Sequence, residues 1–233
     1  MPRAGHVAAT VIRAEDGSML KVWGRRSSFN TQKVLWLVGE LGLPHEHIPA
    51  GGSFGRLNEP GFRALNPHGW VPVIEDGDLA VWESHAVLRY LAAQYGQDRF
   101  WFGDAGARSF ADRWMDWSQT TLQPDFLMGL FWGFFRTPDA QRDWPAINRS
   151  LARCAGHFRL LDGMLARHPF LVGDALSLAD IPIGTSLYRY FELDIERPDI
   201  PNVRAWYDRL RQRPAYREHV MIPFAELRGR LDY

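Results

Sequence analysis

Two short motifs carry groups that can bind a charged peptide. The first is Val71-Pro72, and the second, about ten residues later, is Glu83-Ser84. A proline before a strand removes one backbone donor and can be cis, which leaves the N–H and C=O of Val71 free to pair with a bound peptide. Glu83 can bind an ammonium group, and Ser84 stands where helix-start N–H groups favour a carboxylate. Together these residues match the two charges of a γ-glutamyl amino acid.

This spacing resembles the glutathione site of the cytosolic glutathione transferases, whose signature is Val-Pro followed about ten residues later by Glu-Ser opening a helix. The resemblance covers residues 19–222. A further family feature is the segment Ser177-Leu178-Ala179-Asp180-Ile181, which resembles the capping box of a buried bundle helix. Ser177 would cap that helix, and Asp180 would accept from the Ser177 N–H. The resemblance implies a homodimer that uses glutathione as co-substrate.

The resemblance also indicates where the sulfur of glutathione is activated. We expect the sulfur at the N-terminus of the first helix, because helix-end donors stabilise a thiolate as they do a bound anion. Ser28 falls where the theta and zeta classes carry a serine, and Asn30 resembles the asparagine of related bacterial classes. Both would donate hydrogen bonds to the sulfur, and the thiolate would attack an electrophile in the cleft. Arg25 and Arg26 keep this loop positive.

The chain departs from the family immediately before its Val-Pro motif. Many members place Gln or Lys there to hold the glycyl carboxylate of glutathione, whereas this chain has Gly69 and Trp70. We expect Asn58 or Lys33 to take that role. No cysteine lies in the loop 24–33, which disfavours classes that exchange disulfides through a protein thiol. A glutathione-dependent disulfide reductase or peroxidase stays an alternative, as does a non-catalytic binding module of the same fold.

The second substrate is expected to be a small hydrophobic electrophile. The aromatic run over 130–135 should end the first helices of the second domain near the cleft, so Trp132 and Phe135 are the predicted acceptor-pocket residues. Core packing is the expected role of most of the ten tryptophans. His157, His168 and His219 have no ligand spacing, and no metal site is predicted.

Strand and helix patterns alternate through the first part of the chain. A helical i, i+3, i+4, i+7 pattern ends at Gly42, a short helix lies near 62–65, and a third helix ends at Gly96. Asp76-Gly77 is a tight-hairpin signal. The predicted strands lie at 20–23, 45–48, 71–74 and 79–82. The order β-α-β-α-β-β-α predicts a mixed sheet with helices on both faces, in agreement with the thioredoxin-like domain that the resemblance implies.

Strand-like alternation disappears after Gly96, and only helical patterns remain to about residue 218. The fold class is therefore α/β plus all-α, with a C-terminal helical bundle. The predicted organisation is an N-terminal extension over 1–18, a thioredoxin-like glutathione-binding domain over 19–97 and an all-helical domain over 106–233.

Composition narrows the possible partners and the compartment. Lys+Arg and Asp+Glu number 27 each, so no net field attracts nucleic acid or an anionic membrane surface. No apolar run of about 18 residues predicts a membrane span. The single cysteine, Cys154, excludes an internal disulfide framework and a clustered cysteine metal site. A reducing, cytoplasmic location is expected.

One motif points to a different enzyme class. Gly51-Gly52-Ser53-Phe54-Gly55 fits the Gly-x-Ser-x-Gly pattern of the α/β-hydrolase nucleophile elbow. That elbow requires a long helix directly after the serine and further parallel strands. Here Pro60-Gly61 interrupts the helix and the later chain is helical, so a hydrolase is disfavoured.

Overall fold

The computed structural model describes residues 19–97 and 99–231, so the predicted extension over 1–18 lies outside the described residues. The elements of the first domain are β1 (Leu20–Trp23), α1 (Phe29–Leu41), β2 (His45–Ile48), α2 (Pro60–Leu65), β3 (Val73–Asp76), β4 (Leu79–Trp82) and α3 (Ser84–Tyr95). Their order is the predicted one. β3 begins two residues later than expected, because Pro72 has no N–H to donate to the ladder.

The four strands form one mixed sheet in the order β2-β1-β3-β4. β1 and β2 are parallel and joined through α1, whereas β1 with β3 and β3 with β4 are antiparallel. Successive side chains point to opposite faces of a strand. Val22 and Ile74 accordingly pack in the main core with α1 and α3, while Val73 packs with Phe62 of α2 in a separate cluster on the other face.

The second domain is helical throughout its described part. Its α-helices are α4 (Ala105–Trp117), α5 (Trp144–Leu165), α6 (Asp180–Glu192), α7 (Pro201–Arg211) and α8 (Pro214–His219). α4 continues without a break into a wider, π-type helix over Ser118–Leu122 and Pro124–Arg136. The connection between α3 and α4 lies between Tyr95 and Ala105, close to the domain boundary expected from the sequence.

The two domains share one core, centred on α1. Trp36 of α1 is fully buried, and its ring centroid lies 4.8 Å from that of Tyr216 in α8. A Cβ at Gly184 of α6 would lie 2.9 Å from the Trp36 ring, so the glycine permits this close approach of α6 to α1. Helix α1, which directly follows Ser28, is thus fixed by both domains.

The buried segment before α6 forms the Ser177–Asp180 contact expected from the sequence, although Ala179 and not Ser177 occupies the N-cap of α6. Asp180 accepts hydrogen bonds through Oδ2 from the N–H of Ser177 at 2.9 Å and from its hydroxyl at 2.8 Å. Ser177 Oγ accepts from the N–H of Ala179 at 3.2 Å. Asp180 also accepts from the N–H of Leu171 at 3.0 Å, which ties the preceding loop to the start of the helix.

The described residues contain neither a candidate membrane span nor a candidate metal cluster. Within 19–97 and 99–231, no helix is both long enough and apolar enough to cross a membrane. The same residues hold no group of three or more His, Cys, Asp or Glu side chains placed to bind a metal ion.

Candidate functional site

Ser28 occupies the N-cap of α1. Its backbone is extended, its Oγ accepts from the N–H of Thr31 at 3.4 Å, and its carbonyl accepts the first helical hydrogen bond, from Gln32. The loop folds this way because serine satisfies a helix-start donor that would otherwise have no partner. The hydroxyl therefore lies at the positive end of the helix dipole, where an anion is stabilised.

Ser28 opens into a cavity of about 370 Å³ between the two domains, here called the central cavity. Its first-domain wall comprises Arg25, Ser27, Ser28, Phe29, Asn30, Leu57, Asn58, Arg63, His68, Gly69, Trp70 and Val71. Its second-domain wall comprises Leu127, Trp132, Arg136, Arg189 and Leu227. No carboxylate stands among these described lining residues, so the field inside the cavity favours anions.

A smaller cavity of about 270 Å³, here called the side cavity, adjoins the central one. It is lined by Asn30, Asn66, His68, Trp70, Val71, Pro72, Glu83 and Ser84. The Val71–Pro72 peptide bond is cis, and Val71 lies outside the β3 ladder, which begins at Val73. All four residues of the Val-Pro and Glu-Ser motifs therefore meet at one site, although Glu83 and Val71 come from different segments.

Glu83 has an unusual backbone conformation. Its φ of 68° lies in the left-handed region, which side chains other than glycine, Asn and Asp rarely adopt. The residue connects β4 directly to α3, with Ser84 buried as the first helical residue and Glu83 exposed at the cavity. A glycine would adopt this conformation without strain, so Glu83 holds its carboxylate at the side cavity at a cost in backbone free energy.

Asn30 is shared by the two cavities and so links them. Its side-chain Oδ1 is buried and has no hydrogen-bond partner among the described residues. A buried polar atom without a partner costs free energy, which a ligand that hydrogen-bonds to it would recover. Asn30 is therefore placed to contact a ligand that extends from Ser28 into the side cavity.

Arg63 places a guanidinium group beside Gly69, close to the position before Val71 at which the chain has no basic residue. A Cβ at Gly69 would lie 2.5 Å from Arg63 Cζ, so the guanidinium occupies the space that a larger residue at position 69 would need. Arg63 donates to Asn58 Oδ1 at 2.7 Å and to the Pro67 carbonyl at 2.8 Å. Sequence reasoning found Asn58 but missed Arg63. The signal available in the sequence was Arg63 itself, a basic residue in the last turn of α2 and ahead of Gly69.

The two predicted acceptor residues have different environments. Trp132 lines the central cavity, and its ring lies 4.0 Å from the Arg136 guanidinium carbon. Phe135 does not line that cavity; it stacks on Phe131 at 5.4 Å and packs edge-on against Phe224 at 5.0 Å in the core. Trp132 and Phe135 are three residues apart in the π-type helix and have different neighbours, so the aromatic run does not form one surface.

Lys33 does not reach the central or the side cavity. Its side chain is fully buried, and Nζ lies 2.7 Å from Gln123 Oε1 of the second domain and 3.3 Å from His85 Nε2 of α3. Burial lowers the pKa of Lys33 to about 7, opposed by the nearby negative charge of Glu83. The expected contact of Lys33 with a glycyl carboxylate is therefore absent; Lys33 instead bridges the domains.

We expect Lys33 to make stability depend on pH. Because its pKa is depressed in the folded state, the unfolded chain binds more protons between pH 7 and about 10, so stability rises with pH in that window. Relative to Lys33→Met, wild type should gain up to about 1.4 kcal/mol per pH unit between pH 7 and 9 in urea unfolding. The control is Lys21→Met, because Lys21 is the other lysine and is partly exposed. A flat difference would contradict a buried, neutralisable ammonium.

Arg189 connects the second domain to the loop that carries Ser28. This buried arginine of α6 donates to the Ser27 carbonyl at 2.7 Å and to Gln32 Oε1 at 3.4 Å. Its guanidinium carbon also lies 4.7 Å from the Phe131 ring centroid. A guanidinium held this way fixes the loop on both sides of the N-cap, because its planar donors allow few other geometries.

Comparisons with known proteins agree with this two-domain architecture. The family model for the glutathione S-transferase N-terminal domain matches residues 18–93, and that for the C-terminal domain matches residues 124–214. The chain is 43% identical over 207 residues to glutathione S-transferase GstB of Escherichia coli K12, covering 88% of this chain and 99% of that protein. It is 31% identical to glutathione S-transferase F9 of Arabidopsis thaliana, covering 87% of this chain and 96% of that protein.

A solved structure gives the same result. The theta-class glutathione S-transferase of Xanthomonas axonopodis pv. citri, with glutathione bound, has a TM-score of 0.83 and 44% sequence identity, covering 88% of this chain and 98% of that chain. The architecture is that of a thioredoxin-like domain joined to a helical domain. The chain belongs to the glutathione S-transferase family, which confirms the sequence-based assignment of fold, enzyme class and co-substrate. Ser53 of the Gly-x-Ser-x-Gly motif lies in a single turn of 3-10 helix, Gly52–Phe54, and the long helix that a nucleophile elbow requires does not follow it.

Proposed function

We propose that this enzyme ionises the thiol of glutathione at Ser28 and Asn30 and transfers the glutathionyl group, through its sulfur, to a small hydrophobic electrophile in the central cavity. The observation that carries the proposal is the position of Ser28 at the positive end of α1, facing a cavity between the domains. The serine hydroxyl donates one hydrogen bond to the sulfur, and the Asn30 amide donates a second. Both bonds favour the thiolate, which is the nucleophilic form.

Glutathione has its γ-glutamyl end in the side cavity. Glu83 binds the ammonium group, while the buried Ser84, as the first residue of α3, offers its hydroxyl and N–H to the carboxylate. The N–H and C=O of Val71 pair with the peptide backbone of the ligand, held by the following Pro72. Charge complementarity at this end then fixes the direction in which glutathione lies.

The glycyl carboxylate of glutathione is held by Arg63 and Asn58. These two side chains hydrogen-bond each other at 2.7 Å and both line the central cavity. An arginine can bind a carboxylate through two parallel N–H donors, which fits a terminal carboxylate better than a point charge does. The acceptor then lies across the cavity, against Trp132 and Leu127 of the second domain.

Two alternatives use the same fold. A disulfide reductase or peroxidase that acts through a protein thiol is disfavoured, because Cys154 is fully buried in α5 and burial raises its pKa to about 12. A reductase acting through glutathione alone would use the same Ser28 and Asn30. A non-catalytic binding module would bind glutathione but would not accelerate its reaction with an electrophile.

The first test is calorimetric titration of the purified protein with reduced glutathione, together with the substitution Glu83→Gln. We expect saturable binding to the wild type and a Kd about tenfold higher for the variant, because the ligand ammonium loses its charged partner. Glu46→Gln is the matched control, since Glu46 is exposed on β2 and lines neither the central nor the side cavity. Equal weakening by both substitutions would contradict the ammonium site.

We further propose a homodimer in the cytoplasm. Family resemblance and the exposure of large apolar side chains support the homodimer, since Phe110 of α4 and Trp70 are 50% and 58% exposed in the single chain. Light scattering coupled to gel filtration measures the mass directly, and a monomeric mass at micromolar concentration would contradict the dimer. The cytoplasmic location, expected from a single unpaired cysteine, stays a prediction.

A further inference from the structure

Lys33 is a fully buried cation where the two domains meet. Its Nζ lies 2.7 Å from Oε1 of Gln123, between the two stretches of π-type helix, and 3.3 Å from Nε2 of His85 in α3. On its own helix, Nζ lies 4.9 Å from the centre of the Phe29 ring. Asp125, two residues beyond Gln123, is instead paired with α5. The second domain therefore offers Lys33 a neutral hydrogen-bond acceptor.

His85 connects Lys33 to the residues proposed to bind the γ-glutamyl end of glutathione. It is the second residue of α3 and directly follows Glu83 and Ser84. Burial, together with the positive charges of Lys33 and Arg89, lowers the pKa of His85 to about 2, so its imidazole is neutral near pH 7. His85 thus gives Lys33 a hydrogen-bond acceptor but no negative charge.

The charge that compensates Lys33 comes from the residue before α3. Glu83 favours the protonated form of Lys33 through its negative charge. Arg89, further along α3, is paired with carboxylates of its own, since it donates to Asp112 at 2.7 Å and to Asp116 at 2.6 Å in α4. The Lys33 ammonium therefore depends on the carboxylate of Glu83.

The ammonium group of glutathione uses that same carboxylate in the proposed binding mode. One negative charge then faces two cations, and like charges near each other disfavour each other's charged form. The cation of the chain is also the one out of water, where a charge is costly unless it is paired. Burial has already lowered the pKa of Lys33 to about 7, so this residue can lose its proton near neutral pH.

We infer that glutathione binding at Glu83 drives a proton from Lys33 into solvent, so that the complex forms with a neutral Lys33. The inference rests on the proposed binding mode of glutathione and adds a proton linkage to it. The N–H bond that breaks leaves its electron pair on Nζ. The neutral amine keeps two N–H donors, so its contact with Gln123 of the second domain is retained.

The chain has only two lysines, so nuclear magnetic resonance can follow the ionisation of each one. Lysine isotopically labelled at Cε gives two side-chain signals, and Lys21→Met identifies that of Lys33. The ligand is S-methylglutathione, which has the ammonium group but no thiol that could ionise. We expect the Lys33 midpoint to lie near pH 7 in the free protein and to fall by about one pH unit in the complex, a tenfold weakening of proton binding. An unchanged or raised midpoint would overturn the inference.

Titration calorimetry counts the released protons independently. The heat of binding S-methylglutathione at pH 7 is measured in buffers of different ionisation enthalpy, and its slope gives the number of protons released. Wild type should release up to about half a proton more than Lys33→Met, because Lys33 is half protonated near its pKa of about 7. The amino group of the ligand contributes equally to both. Lys21→Met is the control and should match wild type, whereas a lysine with a purely structural role would change affinity but not this count.

Affinity should follow the same linkage. Wild type should bind S-methylglutathione up to about tenfold more tightly at pH 8 than at pH 6, relative to Lys33→Met. Glu83→Gln, at an exposed position, should lower the Lys33 midpoint before any ligand is added, because the compensating carboxylate is gone. The same midpoint in this variant as in wild type would contradict the competition for Glu83.

Failure of the inference differs from failure of the proposed function. Saturable binding with equal proton counts in wild type and Lys33→Met would overturn the inference and leave the glutathione site intact. No binding of S-methylglutathione at several millimolar would overturn the glutathione site and the inference with it. The magnetic resonance titration uses only wild type and Lys21→Met, so it decides the matter even if Lys33→Met does not fold.

Discussion

Replacement of Ser28 by alanine should lower kcat/KM about 100-fold at pH 7, with only a small change in the Kd of glutathione. A thiol has a pKa of about 8.5, and lowering it by about two units requires roughly 2.7 kcal/mol of differential stabilisation of the thiolate. Removing one of two donors to a developing anion typically costs a factor of about 100 to 1,000 in rate. The measurement is kcat/KM against pH, in which the inflection should shift to higher pH in the variant.

Two further substitutions separate chemistry from folding. Ser28 also caps α1 through its contact with the Thr31 N–H, so alanine should cost about 1 kcal/mol of stability as well. Ser28→Asp keeps a capping oxygen but places a negative charge beside the sulfur, and should be stable but inactive. Ser27→Ala is the control. It removes a neighbouring buried hydroxyl, while the backbone carbonyl of residue 27 still accepts from Arg189. Activity retained in Ser28→Ala with a normal pH profile would refute the sulfur assignment.

Replacement of Asp180 by alanine should destabilise the fold by about 3 kcal/mol at pH 7 and lower Tm by about 10 °C. Three donors, the N–H groups of Leu171 and Ser177 and the Ser177 hydroxyl, would be left buried without their acceptor. Urea unfolding measures the loss directly. Ser177→Ala removes only one of the three donors and should cost about 1 kcal/mol.

The cost of losing Asp180 should itself depend on pH. Burial raises the pKa of this carboxyl to about 6, against the hydrogen bonds that lower it. A raised acid pKa contributes stability at low pH that is lost as pH rises through the folded-state value. The destabilisation by Asp180→Ala should therefore be larger at pH 5 than at pH 7. An equal cost at both values would contradict a folded-state pKa near 6.

The second domain contributes two buried arginines to the proposed site. Arg189 holds the loop of Ser28 through the Ser27 carbonyl, and Arg136 brings a buried charge to the cavity wall. Asp180 fixes the start of α6, the same helix that carries Arg189 nine residues later. Loss of the Asp180 contacts should accordingly lower activity as well as stability, because α6 positions the loop that carries Ser28.

Local patterns in the sequence determined most of the fold and one end of the site. Val71-Pro72 and Glu83-Ser84 were readable because each acts through its own backbone: a proline that cannot join the ladder, and the first residues of a helix. Ser28 was readable for the same reason, as an N-cap followed by a helical pattern. Such features depend on residues only a few positions away in the chain, so they can be recognised in the sequence.

Long side chains were decided only by the tertiary structure. The chain carries many arginines, and nothing local distinguishes the buried Arg136 and Arg189 from exposed ones such as Arg228. Lys33 could equally have faced a ligand, but it lies against Gln123, 90 residues away in sequence. The direction of such a long side chain depends on the helices and loops that pack against it, and burial then shifts its pKa. Local patterns therefore predicted the fold and the proposed sulfur site, whereas the arginines that line the central cavity could be placed only from the packing of the two domains against each other.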